Sequence, residues 1–226
     1  MKVNTEIYVF DAYGTLFDVH SAARRHASEI GPQSQHFSEI WRAKQLEYTW
    51  VRALMGHYVD FWQLTSDALD YAFTVSAPER RAMRPLLLES YCHPEAFLEV
   101  RAVLGTLKAS GAQTAILSNG SPEMLLAATE SMGITDLLDE IISVDSIRSY
   151  KTDPRVYALV LERFGVTPSL VSFQSSNRWD VAGAAAYGFR AVWINRTGQP
   201  DEYGDLPPAA VLPSLEGLLT LAGSTD

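Results

Sequence analysis

Cysteine is almost absent from this chain of 226 residues, which contains only Cys92. A single cysteine excludes an intrachain disulfide, so a reducing cytoplasm is the natural compartment. Long apolar runs are missing as well. No stretch approaches the roughly 20 apolar residues of a membrane-spanning helix, and the run before Asp11 is far too short for a signal-peptide core. We therefore expect a cytoplasmic protein with no membrane partner.

Positive charge is in short supply. The chain has 18 Lys and Arg against 27 Asp and Glu, a net charge of −9, which argues against nucleic acid as a partner. A small anionic substrate would therefore need a locally placed cation. Hydrophobic residues make up 47% and charged residues 20% of the chain, as in a soluble globular protein.

Several catalytic motifs are also lacking. No two glycines have the G-x-G spacing of a dinucleotide site, and there is no G-x-S-x-G nucleophile elbow. The histidines show no metal-ligand spacing, and each is expected to be structural: His20, His26, His36, His57 and His93. We expect no cofactor and no metal.

What is present begins with a short apolar run, Ile7 to Phe10, followed by Asp11 and then Gly14. The run is typical of a strand buried in a parallel sheet, and ligands bind at the carboxyl ends of such strands. An aspartate in this position is also common as an ordinary turn residue. Asp11 alone does not decide between a functional and a structural role.

The next eighty residues favour helices. Phe37 to Met55 and Tyr58 to Phe73 read as two helices, and Ser76-Ala-Pro-Glu79 has the form of a capping box that should open a third, with Pro85 bending or ending it. No convincing strand lies between Asp18 and Pro94. We predict a helical cap subdomain over residues 18–96, inserted after the first strand.

From Pro94 onward, predicted strands alternate with helices. The strands are Ala112–Leu117, Ile141–Val144, Leu170–Gln174 and Phe189–Ile194, and helices are predicted from Pro94 to Lys108, after Ser121-Pro122, after Asp153-Pro154 and from Asp180 to Tyr187. This alternation predicts an α/β fold with a doubly wound parallel sheet, a Rossmann-like core. The core would comprise residues 1–17 and 97–226.

Polar residues follow four of the predicted strands, and the carboxyl ends of parallel strands share one edge of the sheet. We therefore expect one crevice that collects Asp11, Thr15, Ser118, Asn119, Tyr150, Lys151, Ser175, Ser176, Asn177 and Asp180. A carboxylate held against its target is a nucleophile. Lys151 would keep Asp11 ionised, and Asp180 would hold Lys151 or activate a water. A purely structural Lys151–Asp180 salt bridge is the alternative.

These motifs resemble those of the haloacid dehalogenase superfamily: Asp11-Ala-Tyr-Gly-Thr15, Ser118-Asn119-Gly120, Tyr150-Lys151 and Ser175-Ser-Asn177-x-Trp-Asp180. Two cap segments, Trp41 to Trp50 and Tyr58 to Trp62, make the chain most similar to the L-2-haloacid dehalogenases. The resemblance covers the whole chain. It implies that Asp11 displaces halide from C2 to give an ester, which water then hydrolyses. It also implies a homodimer and a small anionic 2-haloacid substrate.

The resemblance also implies roles for the remaining site residues. Thr15, Ser118, Tyr157, Ser175 and Asn177 match positions that orient the nucleophile or the substrate carboxylate. Arg42, Asn119 and Trp179 match a halide-receiving cradle. The apolar wall would consist of Tyr13, Leu46, Phe61 and Trp62. Thr152, where proline is common, and Arg178, where a small residue is usual, depart from the pattern. We expect Arg178 to add a charge near the site and to affect substrate range.

Arg42 also has an interpretation that does not depend on the resemblance. It shares one predicted helix stripe with Gln45, Leu46 and Thr49. An arginine among aromatic residues is often only a surface cation with a packed stem. Because the cap should lie above the crevice, we favour a functional role for Arg42.

A metal-dependent phosphatase of the same superfamily is the alternative function. Such enzymes carry a general-acid aspartate where this chain has Tyr13, and Mg²⁺ prefers charged oxygen ligands where it has Ser175 and Asn177. Halide leaves without a proton, so a dehalogenase does not need that acid. A non-catalytic binding protein would be expected to have lost some of the crevice residues, and none is lost here. The sequence therefore favours a metal-free dehalogenase.

Overall fold

A six-stranded parallel sheet forms the centre of the protein in the computed structural model, which describes residues 7–222. The described strands are β1 (Ile7–Phe10), β2 (Phe17–Asp18), β3 (Glu95–Ala96), β4 (Gln113–Ser118), β5 (Glu140–Ser143), β6 (Val171–Ser175), β7 (Arg190–Ile194) and β8 (Ala210–Leu212). The order in the sheet is β5-β4-β1-β6-β7-β8, and every pairing is parallel. The predicted fold class is confirmed.

Strand β1 lies at the point where the strand order reverses. It pairs with β4 on one side and with β6 on the other, so that Phe10 lies opposite both Ile116 and Gln174. All four residues of β1 are buried, as a strand covered on both faces requires. In open α/β sheets the binding crevice lies at the carboxyl end of such a strand, which places Asp11 at that crevice.

Five helices and one 3₁₀ turn form the cap: α1 (Ser21–Arg25), α2 (Ala27–Ile30), α3 (Ser34–Met55), α4 (Phe61–Ser76), the 3₁₀ turn Pro78–Met83 and α5 (Arg84–Cys92). Helix α3 packs along α4, where the Trp41 indole donates to the carbonyl of Thr65 at 2.8 Å. Gly56 ends α3 in the left-handed conformation, at φ 66°. No helix of residues 7–222 has the length and apolar character needed to cross a membrane.

The remaining helices flank the sheet: α6 (Val100–Ala109), α7 (Pro122–Ser131), α8 (Pro154–Phe164), α9 (Arg178–Tyr187) and α10 (Gly217–Ala222). The predicted helix starts at Ser121 and Asp153 are confirmed. The Ser121 hydroxyl accepts from the amide of Met124 at 3.4 Å, and the Asp153 carboxylate accepts from the amide of Arg155 at 2.9 Å. Both caps satisfy amides that a helix start leaves without partners.

The cap joins the core through a small antiparallel ladder. Phe17 pairs with Ala96 and Asp18 pairs with Glu95. The segment that leads from the core into the cap therefore lies beside the segment that leads back. The predicted boundaries, 17/18 and 96/97, fall on this ladder or directly beside it. That division of the chain stays a prediction, and residues 1–6 of its first segment lie outside the described part. The expectation of no strand between Asp18 and Pro94 fails only at its first residue, because Asp18 is the second residue of β2.

The predicted capping box at Ser76 was wrong. The Ser76 hydroxyl donates back to the carbonyl of Ala72 at 2.7 Å, and Ser76 is the last residue of α4. Serine often makes this bond within a helix, in competition with capping the next one. Pro85 lies in the first turn of α5, where proline is tolerated because that amide has no helical partner. It therefore neither ends nor bends a helix.

Two predicted helices begin later than expected. Helix α4 starts at Phe61 rather than Tyr58, because the Asp60 carboxylate accepts from the amide of Gln63 at 2.9 Å and caps it. Helix α6 starts at Val100 rather than Pro94, since Glu95 and Ala96 form the antiparallel ladder with Phe17 and Asp18. The sequence reading missed β8 and α10 altogether.

Candidate active site

Asp11 lies at the carboxyl end of β1 and is only 5% exposed. Its amide donates to the carbonyl of Gln174 on β6 at 2.9 Å, which extends the strand pairing by one residue. The chain then turns at Gly14, which has φ 96°, in the region that favours glycine. A Cβ on Gly14 would lie 3.5 Å from the side-chain nitrogen of Asn177. This turn brings Thr15 back to the carboxylate.

Three neutral donors converge on one oxygen of the Asp11 carboxylate, Oδ2. They are the Thr15 hydroxyl at 3.0 Å, the Ser175 hydroxyl at 3.2 Å and the Asn177 amide at 2.7 Å. Thr15 comes from the turn after β1, whereas Ser175 and Asn177 lie at and beyond the end of β6. The neighbouring strands therefore fix the orientation of the carboxylate and hold Oδ2 in place.

The other oxygen, Oδ1, has a different partner. The Lys151 ammonium donates to it at 2.9 Å and to Asp180 Oδ2 at 2.7 Å. Lys151 is 1% exposed. Burial alone would lower the pKa of Lys151, but the charges of Asp11 and Asp180 outweigh that effect and raise it. The lysine is therefore a fixed cation between two carboxylates.

Asp180 lies behind Lys151 and is completely buried. Its second oxygen accepts a hydrogen bond of 2.9 Å from the Tyr157 hydroxyl. Burial raises the pKa of Asp180 to about 6; Lys151 opposes the shift and the negative charge of Asp11 adds to it. Burial, assisted by Asp180, also holds the pKa of Tyr157 well above its usual value. One ammonium thus balances two carboxylates.

The cap covers this group through aromatic residues and one arginine. The Arg42 guanidinium donates to the carbonyl of Tyr13 at 3.3 Å. The Tyr13 ring lies 6.1 Å from the Phe61 ring and stacks on Tyr91 at 5.5 Å. Arg42 therefore reaches across from the cap to the loop that follows Asp11, while Tyr13 and Phe61 supply apolar surface beside it.

Three further predicted residues, Asn119, Ser118 and Trp179, have contacts outside the group around Asp11. Asn119 accepts from the Lys151 amide at 3.0 Å through its side-chain oxygen, which leaves its NH₂ group as the donor. The Ser118 hydroxyl accepts from the Gly120 amide at 3.1 Å and so supports its own turn. The Trp179 ring meets Trp50 of the cap edge-on at 5.6 Å. Asn119 is therefore bonded to the segment that carries Lys151, whereas Trp179 lines an outer pocket with Thr152 and Tyr203.

Other predicted residues do not reach Asp11 directly. Leu46 is half-buried, one turn beyond Arg42 on α3. Tyr157 is completely buried, packs edge-on against Phe173 at 5.9 Å and touches the group through Asp180. Trp62 lies in an outer groove that it shares with Cys92 and Met124.

Arg178 was expected to add a charge to the site, and this was wrong. Its side chain is 4% exposed and pairs with Asp201 at 2.6 Å. It also donates to the carbonyls of Tyr203 and Leu206 at 2.8 and 2.9 Å. Arg178 therefore fastens the segment between β7 and β8 to the start of α9. The partners lie more than twenty residues away, so local sequence did not indicate this direction.

Two groups support the loop that follows Asp11, and sequence reasoning missed one of them, Arg196. The Ser176 amide donates to the Thr15 hydroxyl at 2.8 Å, which fixes that hydroxyl as a donor to Asp11. Arg196 donates to the Thr15 carbonyl at 2.9 Å and pairs with Glu99 at 2.5 Å. Arg196 comes two residues after β7, at the same edge of the sheet. The strand-end rule that found Lys151 could therefore have found Arg196 as well.

The donor set bears on metal binding. Across residues 7–222, no three histidine, cysteine or acidic side chains cluster in a way that could hold a metal ion. The only carboxylates in the group around Asp11 are Asp11 itself and Asp180, and the Lys151 ammonium already bridges them. A hard cation such as Mg²⁺ would need additional charged oxygens. The side chains therefore do not fit a Mg²⁺ site.

A buried aspartate beside a fixed lysine, at the end of the switch-point strand of a capped α/β core, is the arrangement expected of an enzyme with an α/β fold whose substrate binds at that strand end. The family model of the haloacid dehalogenase-like hydrolases matches residues 5–188. The chain therefore belongs to this family, and the predicted resemblance is confirmed.

Known proteins narrow the similarity further. The chain is 49% identical over 211 residues to (S)-2-haloacid dehalogenase 1 of Pseudomonas sp. (strain CBS-3), covering 93% of each. A crystal structure of a dehalogenase superimposes with a TM-score of 0.94, at 43% identity and 98% of both chains. The L-2-haloacid dehalogenase from Xanthobacter autotrophicus with chloropropionic acid covalently bound has a TM-score of 0.87, at 35% identity over 98% of this chain and 99% of that one.

Proposed function

We propose that this protein hydrolyses short L-2-haloalkanoic acids to D-2-hydroxyacids through an ester on Asp11, with inversion at C2. The observation that carries the proposal is the asymmetry of the Asp11 carboxylate. Oδ2 accepts from three neutral donors, whereas Oδ1 faces the Lys151 ammonium. Oδ1 is therefore the oxygen that attacks carbon, and Oδ2 becomes the carbonyl oxygen of the ester.

In the first step Oδ1 forms a bond to C2 and the carbon–halogen bond breaks, with both electrons leaving on the halide. The attack is in line, so the configuration at C2 inverts. Lys151 keeps Asp11 anionic and oriented until the bond forms. The departing halide needs donors opposite Asp11, and we assign that role to Arg42, Asn119 and Trp179.

In the second step water adds to the ester carbonyl, and negative charge develops on Oδ2. Thr15, Ser175 and Asn177 already donate to that atom, so they form an oxyanion hole that requires no rearrangement. The bond between the carbonyl carbon and Oδ1 then breaks. Oδ1 leaves in the product hydroxyl, taking up the proton that the attacking water gave to Asp180. Asp11, now carrying one oxygen from water, returns to its carboxylate form by losing a proton to solvent.

Asp180 holds Lys151 in both steps and, when ionised, is the acceptor for the proton of the attacking water. Tyr157 donates to Asp180 from beneath, and we assign it a positioning role rather than contact with substrate. The substrate carboxylate would meet Ser118 and the amides near Ala12 and Tyr13. Its alkyl part would contact Tyr13, Leu46 and Phe61.

The chemistry proposed here requires no metal, because halide leaves without protonation and the Lys151 ammonium lies between the two carboxylates. The deciding experiment is halide release from 2-chloropropionate of each configuration, with EDTA present. We expect turnover of the L form only, and none by Asp11→Asn. Loss of activity in EDTA with recovery in Mg²⁺, or a robust phosphatase activity, would reject the proposal.

We also propose that the protein acts in the cytoplasm as a homodimer. Six large apolar side chains on α3 and α4 are substantially exposed: Trp50, Val51, Leu54, Met55, Tyr71 and Val75. An apolar surface of this kind supports burial against a second copy. Light scattering coupled to gel filtration would test this, and a mass near 25.0 kDa would contradict it.

A further inference from the structure

A cleft of about 260 Å³ lies between the cap and the core, and Asp11 is not among the residues that line it. Its lining is Arg52, Ala53, Gly56 and Tyr58 from the cap and Arg148, Ser149 and Arg155 from the core. Three of these seven residues are arginines and none is acidic. In a chain of net charge −9, such a local concentration of positive charge requires an explanation.

Two of the three arginines are not neutralised by a carboxylate. Arg155 pairs with Asp153 at 2.5 Å. Arg52 donates only a long hydrogen bond, 3.4 Å, to the carbonyl of His57, and the Arg148 guanidinium lies 5.1 Å from the centre of the Tyr58 ring. Within residues 7–222, neither Arg52 nor Arg148 forms an ion pair. Their charges are therefore available to an anion.

The backbone of Arg148 is held in an unfavourable conformation. Its φ is 51° and its ψ 47°, and it is the only non-glycine residue with positive φ in the described part of the chain. An arginine in the left-handed region is strained by about 1–2 kcal/mol. Strain of this kind persists where the surroundings impose it, often at binding sites. Here it places a guanidinium at the seam between cap and core.

The cleft lies next to the reaction centre. Arg52 follows Arg42 by ten residues on α3, about 15 Å along the helix, and Arg148 precedes Lys151 by three residues. The Tyr150 ring separates the two spaces, 5.2 Å from Tyr58 on the cleft side and 6.4 Å from Phe61 on the other. Asp11 itself is almost fully covered, so an anion held in this cleft lies outside the reaction centre.

We propose that this cleft is a second binding site, for small monocarboxylate anions, which collects the 2-haloalkanoate before it enters the reaction centre. The inference rests on the proposed function. Guanidinium groups bind carboxylates through paired hydrogen bonds. At about 30 Å³ per water molecule, the cleft has room for a short acid and a few waters. Screening over about 8 Å weakens the repulsion from distant acidic residues. Two nearby acids contact the lining, since Asp153 pairs with Arg155 and Asp145 accepts from the Tyr58 hydroxyl. The charges of Arg52 and Arg148 are bonded to neither of them.

Association kinetics test the role in capture. In an Asp11→Asn background no ester forms, and binding of L-2-chloropropionate is followed by stopped-flow tryptophan fluorescence. We expect Arg52→Gln with Arg148→Gln to lower the association rate constant about three- to tenfold at low ionic strength, and the difference to shrink in high salt. Replacing both arginines by lysine should restore most of the rate.

Arg80 provides the matched control, because it is an exposed cap arginine whose nearest acid is Glu79 at 4.0 Å. Arg80→Gln removes the same charge and should leave the association rate unchanged. The capture role is wrong if the double variant associates as fast as its parent. It is also wrong if the parent associates no faster at low salt than at high salt.

Crystals of Asp11→Asn soaked with 2-bromopropionate test occupancy, since bromine is located by its anomalous scattering. We expect bromine in the cleft and its loss when Arg52 and Arg148 are replaced by glutamine. Bromine confined to the reaction centre would overturn the inference. Cleft occupancy alongside unchanged association rates would also overturn it. If the wild type releases no halide although bromine occupies the cleft, the proposed function fails and the anion site stands.

Discussion

Lys151 and Asp180 form a completely buried ion pair with an N–O distance of 2.7 Å, and the same ammonium is 2.9 Å from Asp11. A single lysine thus serves two carboxylates. Breaking such a pair by removing one partner leaves an uncompensated charge and costs about 3–5 kcal/mol. Protonation of Asp180 removes its charge without removing the side chain. The raised pKa of Asp180 places that protonation within a measurable pH range.

The first prediction concerns pH. Because burial raises the pKa of Asp180 to about 6, Asp180 is ionised at pH 7–8 and takes up a proton as the pH falls through 6. Protonated Asp180 neither holds the ammonium nor accepts a proton from water. Turnover should therefore fall about tenfold per pH unit below 6, measured as halide release at saturating 2-chloropropionate.

Tyr157→Phe provides the matched variant for this prediction. The Tyr157 hydroxyl donates to Asp180 and lowers its pKa, so its removal should raise that pKa further and move the acid limb to higher pH. If Tyr157 instead contacted substrate, KM would change and turnover would fall over the same pH range as in the wild type. A flat profile from pH 5 to 8 in the wild type would contradict the role given to Asp180.

The second prediction separates the two chemical steps. The donors on Oδ2 stabilise negative charge, which Asp11 loses when the ester forms and regains when water adds. Asn177→Ala removes the shortest of these bonds, 2.7 Å. We expect ester hydrolysis to slow about a hundred- to a thousandfold, more than ester formation. Mass spectrometry should then detect the alkylated Asp11 peptide during turnover; an unmodified peptide would contradict the oxyanion hole.

The third prediction concerns Arg42. Its guanidinium is the cap-side cation closest to the nucleophile loop, bonded to the Tyr13 carbonyl at 3.3 Å. Arg42→Ala should lower turnover about a hundred- to a thousandfold while the fold remains intact, since one fixed charge stabiliser is lost. Arg25→Ala, which removes a hinge arginine bonded to Glu95, serves as the cap control. A loss of less than threefold in Arg42→Ala would make Arg42 a surface residue.

The fourth prediction concerns stability. Arg178→Ala leaves the carbonyls of Tyr203 and Leu206 without their donor, at a cost of about 2–4 kcal/mol in the free energy of unfolding. In a protein of this size that lowers Tm by roughly 5–10 °C. The relative rates on haloacids of different chain length should stay unchanged. Arg163→Ala, with an exposed pair to Glu140, should change stability by less than about 0.5 kcal/mol.

The sequence located most of the site because one rule governs it: parallel strands end at a common edge. Asp11, Ser175 and Lys151 follow strands that are recognisable from their apolar runs, and their distances confirm the convergence. Arg178 could not be placed in the same way, since its partners come from a segment more than twenty residues later. The end of α4 at Ser76 depended on whether the Ser76 hydroxyl donates back to the carbonyl of Ala72 or accepts from an amide of the following turn, which local sequence does not decide.

The last prediction traces the product's new oxygen. If Oδ1 attacks C2, the product hydroxyl carries an oxygen from Asp11, and water adds only to the ester carbonyl. If Asp11 instead acted as a general base, the water oxygen would go directly to product. A single turnover in ¹⁸O-water with enzyme in excess separates these routes. We expect the label on the peptide that contains Asp11 and an unlabelled hydroxyacid.

The stereochemistry of the same reaction gives an independent check. In-line attack by Oδ1 opposite the halide inverts C2, and hydrolysis at the carbonyl does not touch that carbon again, so L-2-chloropropionate should yield D-lactate alone. Chiral chromatography of the single-turnover product measures this. A second turnover should then release hydroxyacid labelled with ¹⁸O, because the water oxygen added to Asp11 in the first cycle takes the place of the departed Oδ1 and attacks C2 in the next. Label in the first product, or a racemic hydroxyacid, would overturn Asp11 as the nucleophile even where halide is released.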